Sequence, residues 1–143
     1  MTNHHDVPVR VYYEDTDAGG IVYHASHIRY AERGRTEYLR NAGFLNSDLM
    51  SGMGVLFVVR RIEAEYLKPA KLDDLLTVRT ALQTIKNTSF VMNQKIIRGD
   101  DVLFDMNVTL VCINPEGKPI AMPPAVKAAF TSDADTDTQT VGP

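Results

Sequence analysis

The 143-residue chain holds one cysteine, Cys112, which leaves no internal disulfide framework and no cysteine-based zinc site. No apolar run approaches the roughly 20 residues of a membrane span, and the polar, acidic start does not read as a signal peptide. There is no basic excess: 15 Lys and Arg face 18 Asp and Glu, for a formal net charge of −3, so general nucleic-acid binding is not expected. Catalytic signatures are scarce as well. The chain has no Gly-x-Ser-x-Gly elbow, Gly19-Gly20 is no dinucleotide fingerprint, and no Walker-type lysine follows it. Glu14-Asp15-Thr16-Asp17 is acidic, yet the later ligands and bidentate glutamate of a calcium loop are missing. His4-His5 lies in a terminal segment and reads as incidental, and no internal repeat is present. The expected location is the cytoplasm.

What is there fits one globular domain, with 44% hydrophobic and 23% charged residues. Val7, Val9, Val11 and Tyr13 alternate with Arg10, Tyr12 and Glu14, the period of a half-buried strand, until Thr16-Asp17-Ala18-Gly19-Gly20 breaks it. Ile28, Ala31, Tyr38, Leu39 and Ala42 then recur at helical spacing, predicting a helix from about Ser26 to Ala42. Ser26 is the expected N-cap and Gly43 the C-terminal cap. Its charged middle, Glu32, Arg33, Arg35 and Glu37, should mostly face solvent, with Glu32 or Arg35 nearer an interface if a sheet wraps the helix. A short helix is expected around Ser47 to Ser51.

After Gly54 strands dominate. Val55 to Tyr66 is a long one, Leu76 to Gln83 a second, and Phe90, Met92 and Ile96 mark a third, closed by the turn Gly99-Asp100-Asp101. The fourth is clearest, with Val102, Phe104, Met106, Val108, Leu110 and Cys112 on one face, which makes Cys112 a buried residue rather than a catalyst. Ile120 should begin a last short strand that Pro123-Pro124 confines to a sheet edge. The domain is expected over residues 7–130, between a flexible start (1–6) and a disordered Asp- and Thr-rich tail (131–143). Strand, long helix and a run of antiparallel strands give an α+β fold. The long strand at Val55 offers an edge that a second copy could cover, so at least a dimer is expected.

Two roles suit Asp17. A turn aspartate before Ala-Gly-Gly bonds nearby backbone N–H groups. Alternatively, Gly19 and Gly20 leave the backbone open and the following helix start presents N–H donors, so a carbonyl held there would face the Asp17 carboxylate. An aspartate with an ordinary pKa of about 3.9 is a weak base, but it can attack as a nucleophile or act as a base raised by a dry pocket. Thioesters suit so modest a catalyst because thiolates leave readily. His24 packs at the helix end or, in the active reading, positions substrate or water as a neutral imidazole. Tyr13 and Tyr23 read as pocket walls. Arg60, Arg61, Lys68, Lys71, Lys86 and Arg98 are scattered cations that read as surface or as an anionic-ligand patch.

The run from Val9 to His24, with Glu32-Arg33 and Arg35-Thr36-Glu37, resembles the YbgC-like branch of the 4-hydroxybenzoyl-CoA thioesterase family. Weaker likeness continues through Phe57-Val58-Val59-Arg60, the segment Tyr66 to Asp74 and Thr88-Ser89-Phe90. The resemblance implies the hotdog fold, a long central helix wrapped by a curved antiparallel sheet, assembled as dimers and commonly tetramers. It implies hydrolysis of acyl-CoA or related acyl thioesters without metal, cofactor or prosthetic group. The family's catalytic aspartate falls on Asp17 and its histidine on His24; the carbonyl is held by backbone N–H near the helix start, around Gly20, Tyr23 and His24. Lys86, Arg60 or Lys71 would reach the phosphates of coenzyme A. An acyl carrier protein as carrier, or a non-catalytic acyl-CoA binding module, are the alternatives; a hotdog dehydratase would want a different acid–base pair. The branch is often associated with the bacterial Tol–Pal system.

Overall fold

The structure, a computed structural model, describes residues 4–131. The chain enters as strand β1 (His5–Arg10), so His5 and Asp6 belong to the sheet rather than to a flexible start. They pair with Thr80 and Arg79, and the Asp6 carboxylate accepts two bonds from the Arg79 guanidinium at 2.9 Å. The strand ends earlier than its alternation predicts. Asp15 accepts the Tyr12 N–H through its carboxylate (2.9 Å), and the Thr16 hydroxyl donates to the Tyr13 carbonyl (2.8 Å). These local bonds compete with the ladder and coil Tyr13–Asp15 into a single 3-10 turn.

Helix α1 (His24–Asn41) starts two residues before the expected Ser26 cap. Ser26 lies inside the first turn, fully buried, and its hydroxyl donates to the Asp15 carbonyl at 3.1 Å. The other end is as the sequence predicts. Gly43 takes φ +98°, its N–H donates to the Arg40 carbonyl (3.0 Å), and the Phe44 N–H donates to the Leu39 carbonyl (2.9 Å). This is the paired bonding of a Schellman cap, which favours glycine at the left-handed position. A short helix α2 (Asn46–Asp48) runs into a wider turn at Leu49–Met53.

Strands β2 (Leu56–Tyr66), β3 (Leu75–Ile85), β4 (Ser89–Arg98) and β5 (Asp101–Ile113) complete one antiparallel sheet in the order β1-β3-β4-β5-β2. Register places Val78, Ile96 and Phe104 in one row and Leu82, Met92 and Val108 in another, all buried on the face that the helix covers. Helix α1 lies across β1, β3 and β4. Its closest approach is at Gly34, where a Cβ would stand 2.6 Å from the Val78 Cγ1 and 2.9 Å from the Thr80 Oγ1. Of the expected stripe, Ala31, Tyr38 and Leu39 are buried while Ile28 and Ala42 are half-buried; His27, Tyr30, Gly34 and Arg35 join them. The burial of Arg35 against the sheet fits the expectation that Glu32 or Arg35 would lie nearer an interface if a sheet wraps the helix, while Glu32 and Arg33 face solvent.

The expected strand at Ile120 is absent among the described residues. Pro119 makes one isolated bridge with Ile113, and the chain then enters helix α3, residues 124–131. Pro124 opens that helix, a position where its missing N–H costs nothing, so Pro123-Pro124 starts a helix instead of limiting a strand. Val126 and Phe130 are fully buried, Phe130 edge-on to Phe90 at 4.9 Å between ring centres. Thr131 therefore belongs to a helix, and the rest of the tail expected to be disordered lies outside the described residues.

Strand β2 stands apart. Among the described residues it pairs only with β5, along one edge, and at its end the Tyr66 hydroxyl donates to the His24 carbonyl of α1. Val59 and Ile62, which share the inward face with Leu110 and Val108, remain 45% and 39% exposed.

Candidate active site

The segment joining β1 to α1 is a tight loop closed on itself and clamped from outside. Asp17 N–H donates to the Ile21 carbonyl (2.9 Å), Gly20 N–H donates to the Asp17 carbonyl (3.0 Å), and Thr16 bridges Val22. Gly20 sits at φ +79°, a conformation costly for other residues. The loop between β2 and β3 holds both ends. Val11 N–H donates to the Asp74 carbonyl (2.9 Å) before the turn, and Val22 N–H to the Ala70 carbonyl (2.8 Å) after it. That clamping loop has its own clip: the Asp74 carboxylate accepts from the Lys71 N–H (2.9 Å) and the Arg98 guanidinium (2.8 Å). Partial burial pushes the Asp74 pKa up, but these donors outweigh it and leave it below the usual carboxylate range.

Asp17 is exposed, and its Oδ1 accepts the Gly19 N–H at 2.8 Å. The turn-stabilising role therefore exists. Its second oxygen has no protein donor among the described residues, so the same side chain has one oxygen anchored and one open to a reactant.

At the helix start the donors divide. Tyr23 N–H is spent on the Asp15 carbonyl (2.9 Å) and Ser26 N–H on the Tyr23 carbonyl (2.8 Å). The amides of His24 and Ala25, the first two of the helix, have no acceptor among the described residues and sit at the positive end of the helix dipole. The N–H groups of Gly20 and Tyr23 are thus already satisfied, and the open pair lies one and two residues further along. The chemistry available here is a carboxylate oxygen and two free amides at a turn-to-helix junction, the parts needed to attack and polarise a carbonyl.

Residues 11–130 match the thioesterase-like superfamily. The chain belongs to that superfamily. The acyl-CoA thioester hydrolase YbgC of Escherichia coli O6:H1 is 46% identical over 125 residues, 86% of this chain and 92% of the relative. The acyl-CoA thioesterase YbgC of Haemophilus influenzae is 43% identical over 131 residues, 91% and 96% of the two chains. Among solved structures, a probable thioesterase from Bartonella henselae is 42% identical and superposes with a TM-score of 0.82, covering 85% of this chain and all of that one. A mutant 4-hydroxybenzoyl-CoA thioesterase complexed with 4-hydroxybenzoyl-CoA, 19% identical, shares the fold at a TM-score of 0.83, with 89% and 98% covered. The hotdog expectation is met, with α2 and α3 added to the central helix.

In this thioesterase-superfamily chain the other predicted site residues scatter. His24 is exposed, its ring 4.4 Å from that of Tyr23 and edge-on to Tyr66 at 6.5 Å. No hydrogen bond joins it to Asp17 among the described residues. Tyr13, 82% exposed, lines a shallow surface groove with Leu72 and Asp73. Lys71 lies against the loop, bridged to Ile21, whereas Arg60 sits at the β2 bulge. Lys86 follows the far end of the 11-residue β3, about 35 Å from the Asp17 end of the sheet. Within one chain these cations do not converge.

Three contributors escape a reading of the sequence. Asp15 anchors the turn through its carboxylate and the helix start through its carbonyl; its three-residue spacing from Tyr12 was the available signal. The Tyr66 hydroxyl, from the far strand β2, donates to the His24 carbonyl at 2.8 Å. Beneath the helix start lies His27, buried between Tyr66 and Phe104, where burial pushes its imidazole toward the neutral form. Burial, with Asp15 nearby, likewise raises the Tyr30 phenol, which stays protonated.

Proposed function

We propose that this chain is an acyl-CoA thioesterase that hydrolyses its substrate to free acid and thiol at the Asp17 turn. The observation that carries the site is that one turn-to-helix junction holds an open Asp17 oxygen and, seven and eight residues further on, the free His24 and Ala25 amides. The family and the two YbgC relatives support the reaction class.

The thioester oxygen accepts from the helix-start amides, which strengthen their hold as it gains negative charge. Asp17 then either attacks the carbonyl carbon itself, expelling the thiolate and leaving a mixed anhydride that water opens, or removes a proton from an attacking water. On both routes one water is consumed, the C–S bond breaks, and the thiolate leaves. Single turnover in ¹⁸O-water separates them, since only the anhydride route can leave label in the Asp17 carboxylate. No cofactor is needed for either route. His24 orients substrate or water through its exposed ring, and Gly20, Tyr13 and Tyr23 shape the approach.

The functional unit is a homo-oligomer in which the open edge of β2 pairs with a second copy; dimers and tetramers are distinguished by light scattering. Pairing brings Arg60, Lys71 and Lys86 of different copies toward the coenzyme A phosphates. The proposal extends to cytoplasmic residence and to the Tol–Pal association that the family resemblance implies, tested by co-purification with the full chain.

Free-thiol release across short, long and aromatic acyl-CoAs, with one acyl carrier protein conjugate, tests the reaction. Turnover of at least one acyl-CoA is expected. Turnover of the carrier conjugate alone changes the substrate, and acyl-CoA binding without any thiol release makes the chain a binding module.

A further inference from the structure

Arg35 is the only Lys, Arg, Asp or Glu buried among the described residues, with 9% of its surface exposed. Its Nη1 donates to the Gln94 Oε1 at 3.0 Å. Gln94 is neutral, and its own amide nitrogen is spent on the Ala31 carbonyl (2.7 Å) and the Thr80 Oγ1 (2.9 Å). No carboxylate oxygen lies within ion-pair distance of Arg35 among the described residues. A guanidinium is permanently charged and carries five N–H donors, so one neutral partner leaves most of its demand unmet. Burial pushes its pKa down, and Glu32, one turn earlier on the helix, opposes this only from a distance.

The buried cation opens onto a cavity. A space of about 460 Å³ lies between α1, the segment around Leu49 and the start of β2, a volume typical of small-molecule pockets. Arg35, Thr36, Asn46 and the exposed Glu32, which stands outside ion-pair distance of Arg35, form its polar side. Leu39, Leu49, Phe57 and Met92 are among its apolar walls, which also include the exposed Val58 and Val59. Within apolar walls, the group that completes it best is an oxyanion able to take two parallel N–H bonds, carried on an apolar body.

We propose that this cavity is a binding site for a carboxylate at the end of an apolar chain or ring, with Arg35 supplying the countercharge. Two sources share that chemistry: a free carboxylic acid, or the distal carboxylate of a dicarboxylic acyl group. The second rests on the thioesterase reading; the first does not. Arg35 stands 11 residues beyond His24, about 16 Å along the helix, so a distal carboxylate reaching it from a thioester held on the same chain needs a long acyl group.

The test compares the wild-type chain with Arg35→Gln and Arg35→Lys in two arms. By calorimetric titration, wild type should bind hexanoate and dodecanoate at least about tenfold more tightly than the matching neutral amides, the yield of a charge-assisted bond. Arg35→Gln should abolish that preference, and Arg35→Lys, which keeps the charge without the fork, should retain part of it. In the kinetic arm, kcat/KM is compared for glutaryl-, adipoyl- and dodecanedioyl-CoA against neutral acyl-CoAs of equal length. Loss of a dicarboxylate preference in Arg35→Gln assigns the site to the acyl group. Loss of acid binding with acyl preference unmoved assigns it to a free acid. If neither preference depends on Arg35 in variants that melt as cooperatively as wild type, the cavity is not an anion site and the proposal is overturned. A chain that hydrolyses no thioester still gives the first arm its answer.

Discussion

Replacing Asp17 by asparagine separates the two roles a carboxylate can have in this turn. The Asp17 Oδ1 accepts the Gly19 N–H at 2.8 Å on an exposed loop. Asparagine presents a carbonyl oxygen in the same place, so that bond survives and stability should change by no more than about 0.5 kcal/mol. Alanine removes the acceptor as well and should cost about 0.5–1.5 kcal/mol more, the net worth of one ordinary hydrogen bond. The chemistry sorts the variants differently, because both lose the anion. A positioned base is worth about 10²–10⁴ in rate, so both should fall at least about 100-fold in kcat, equivalent to about 2.7 kcal/mol of transition-state stabilisation. Free-thiol release under saturating acyl-CoA reads the first quantity and thermal unfolding the second. Turnover falling equally in both variants, with only alanine lowering the melting temperature, supports catalysis. If asparagine keeps turnover within the same order of magnitude as wild type, Asp17 is a turn residue and the reasoning fails.

His24→Ala keeps the free backbone amide and removes only the imidazole, so kcat should drop by up to about 10²-fold with circular dichroism unchanged; unaltered kinetics would leave the ring a packing role. Tyr66→Phe deletes the 2.8 Å bond to the His24 carbonyl and loosens the helix start from β2, which should lower kcat by up to about 10²-fold while KM moves little. Asp74 has a folded pKa below the ordinary aspartate value of 3.8, so its stabilisation is complete above that value and is lost as pH falls through the folded pKa. Asp74→Asn should therefore flatten the acid limb of the stability curve without removing it, because Asp6, held down by Arg79, titrates in the same sense. Ile62→Asp puts a charge on the uncovered inward face of β2, and size-exclusion chromatography should show a smaller species than wild type.

Legibility in the sequence tracked how local the deciding bonds are. The alternation from Val102 to Cys112 and the Gly43 cap depend on near neighbours and were read correctly. So was Asp17 as the turn residue before two glycines. The start of α1 was not, because the Ser26 hydroxyl that should cap the helix reaches 11 residues back to Asp15. Likewise Pro123-Pro124 fits a strand edge and a helix start equally well, and the choice is made by Phe130 packing on Phe90 from the other side of the core. Arg35 sits in a charged run, and only the folded chain brings Gln94, 59 residues away, beneath it. The division of helix-start amides into spent and free was also invisible, since the Asp15 carbonyl that takes Tyr23 leaves no mark in composition or spacing.

On the proposed reading, one copy of the chain makes an incomplete site. Asp17, Tyr23 and Tyr66 are all exposed, and a charge bathed in water acts only weakly on a nearby carbonyl. In the proposed homo-oligomer a second copy excludes that water, and the uncovered inward face of β2, a strand that ends at Tyr66 beside the helix start, is where it would sit. A second copy seated on that face would bury Val59 and Ile62 and would dry the ground beside the free amides of His24 and Ala25. Assembly and turnover then depend on the same contacts. Ile62→Asp should lose kcat in proportion to the loss of the larger species, although Ile62 touches no reacting group; full activity in a verified monomer would show that Asp17 works in open water.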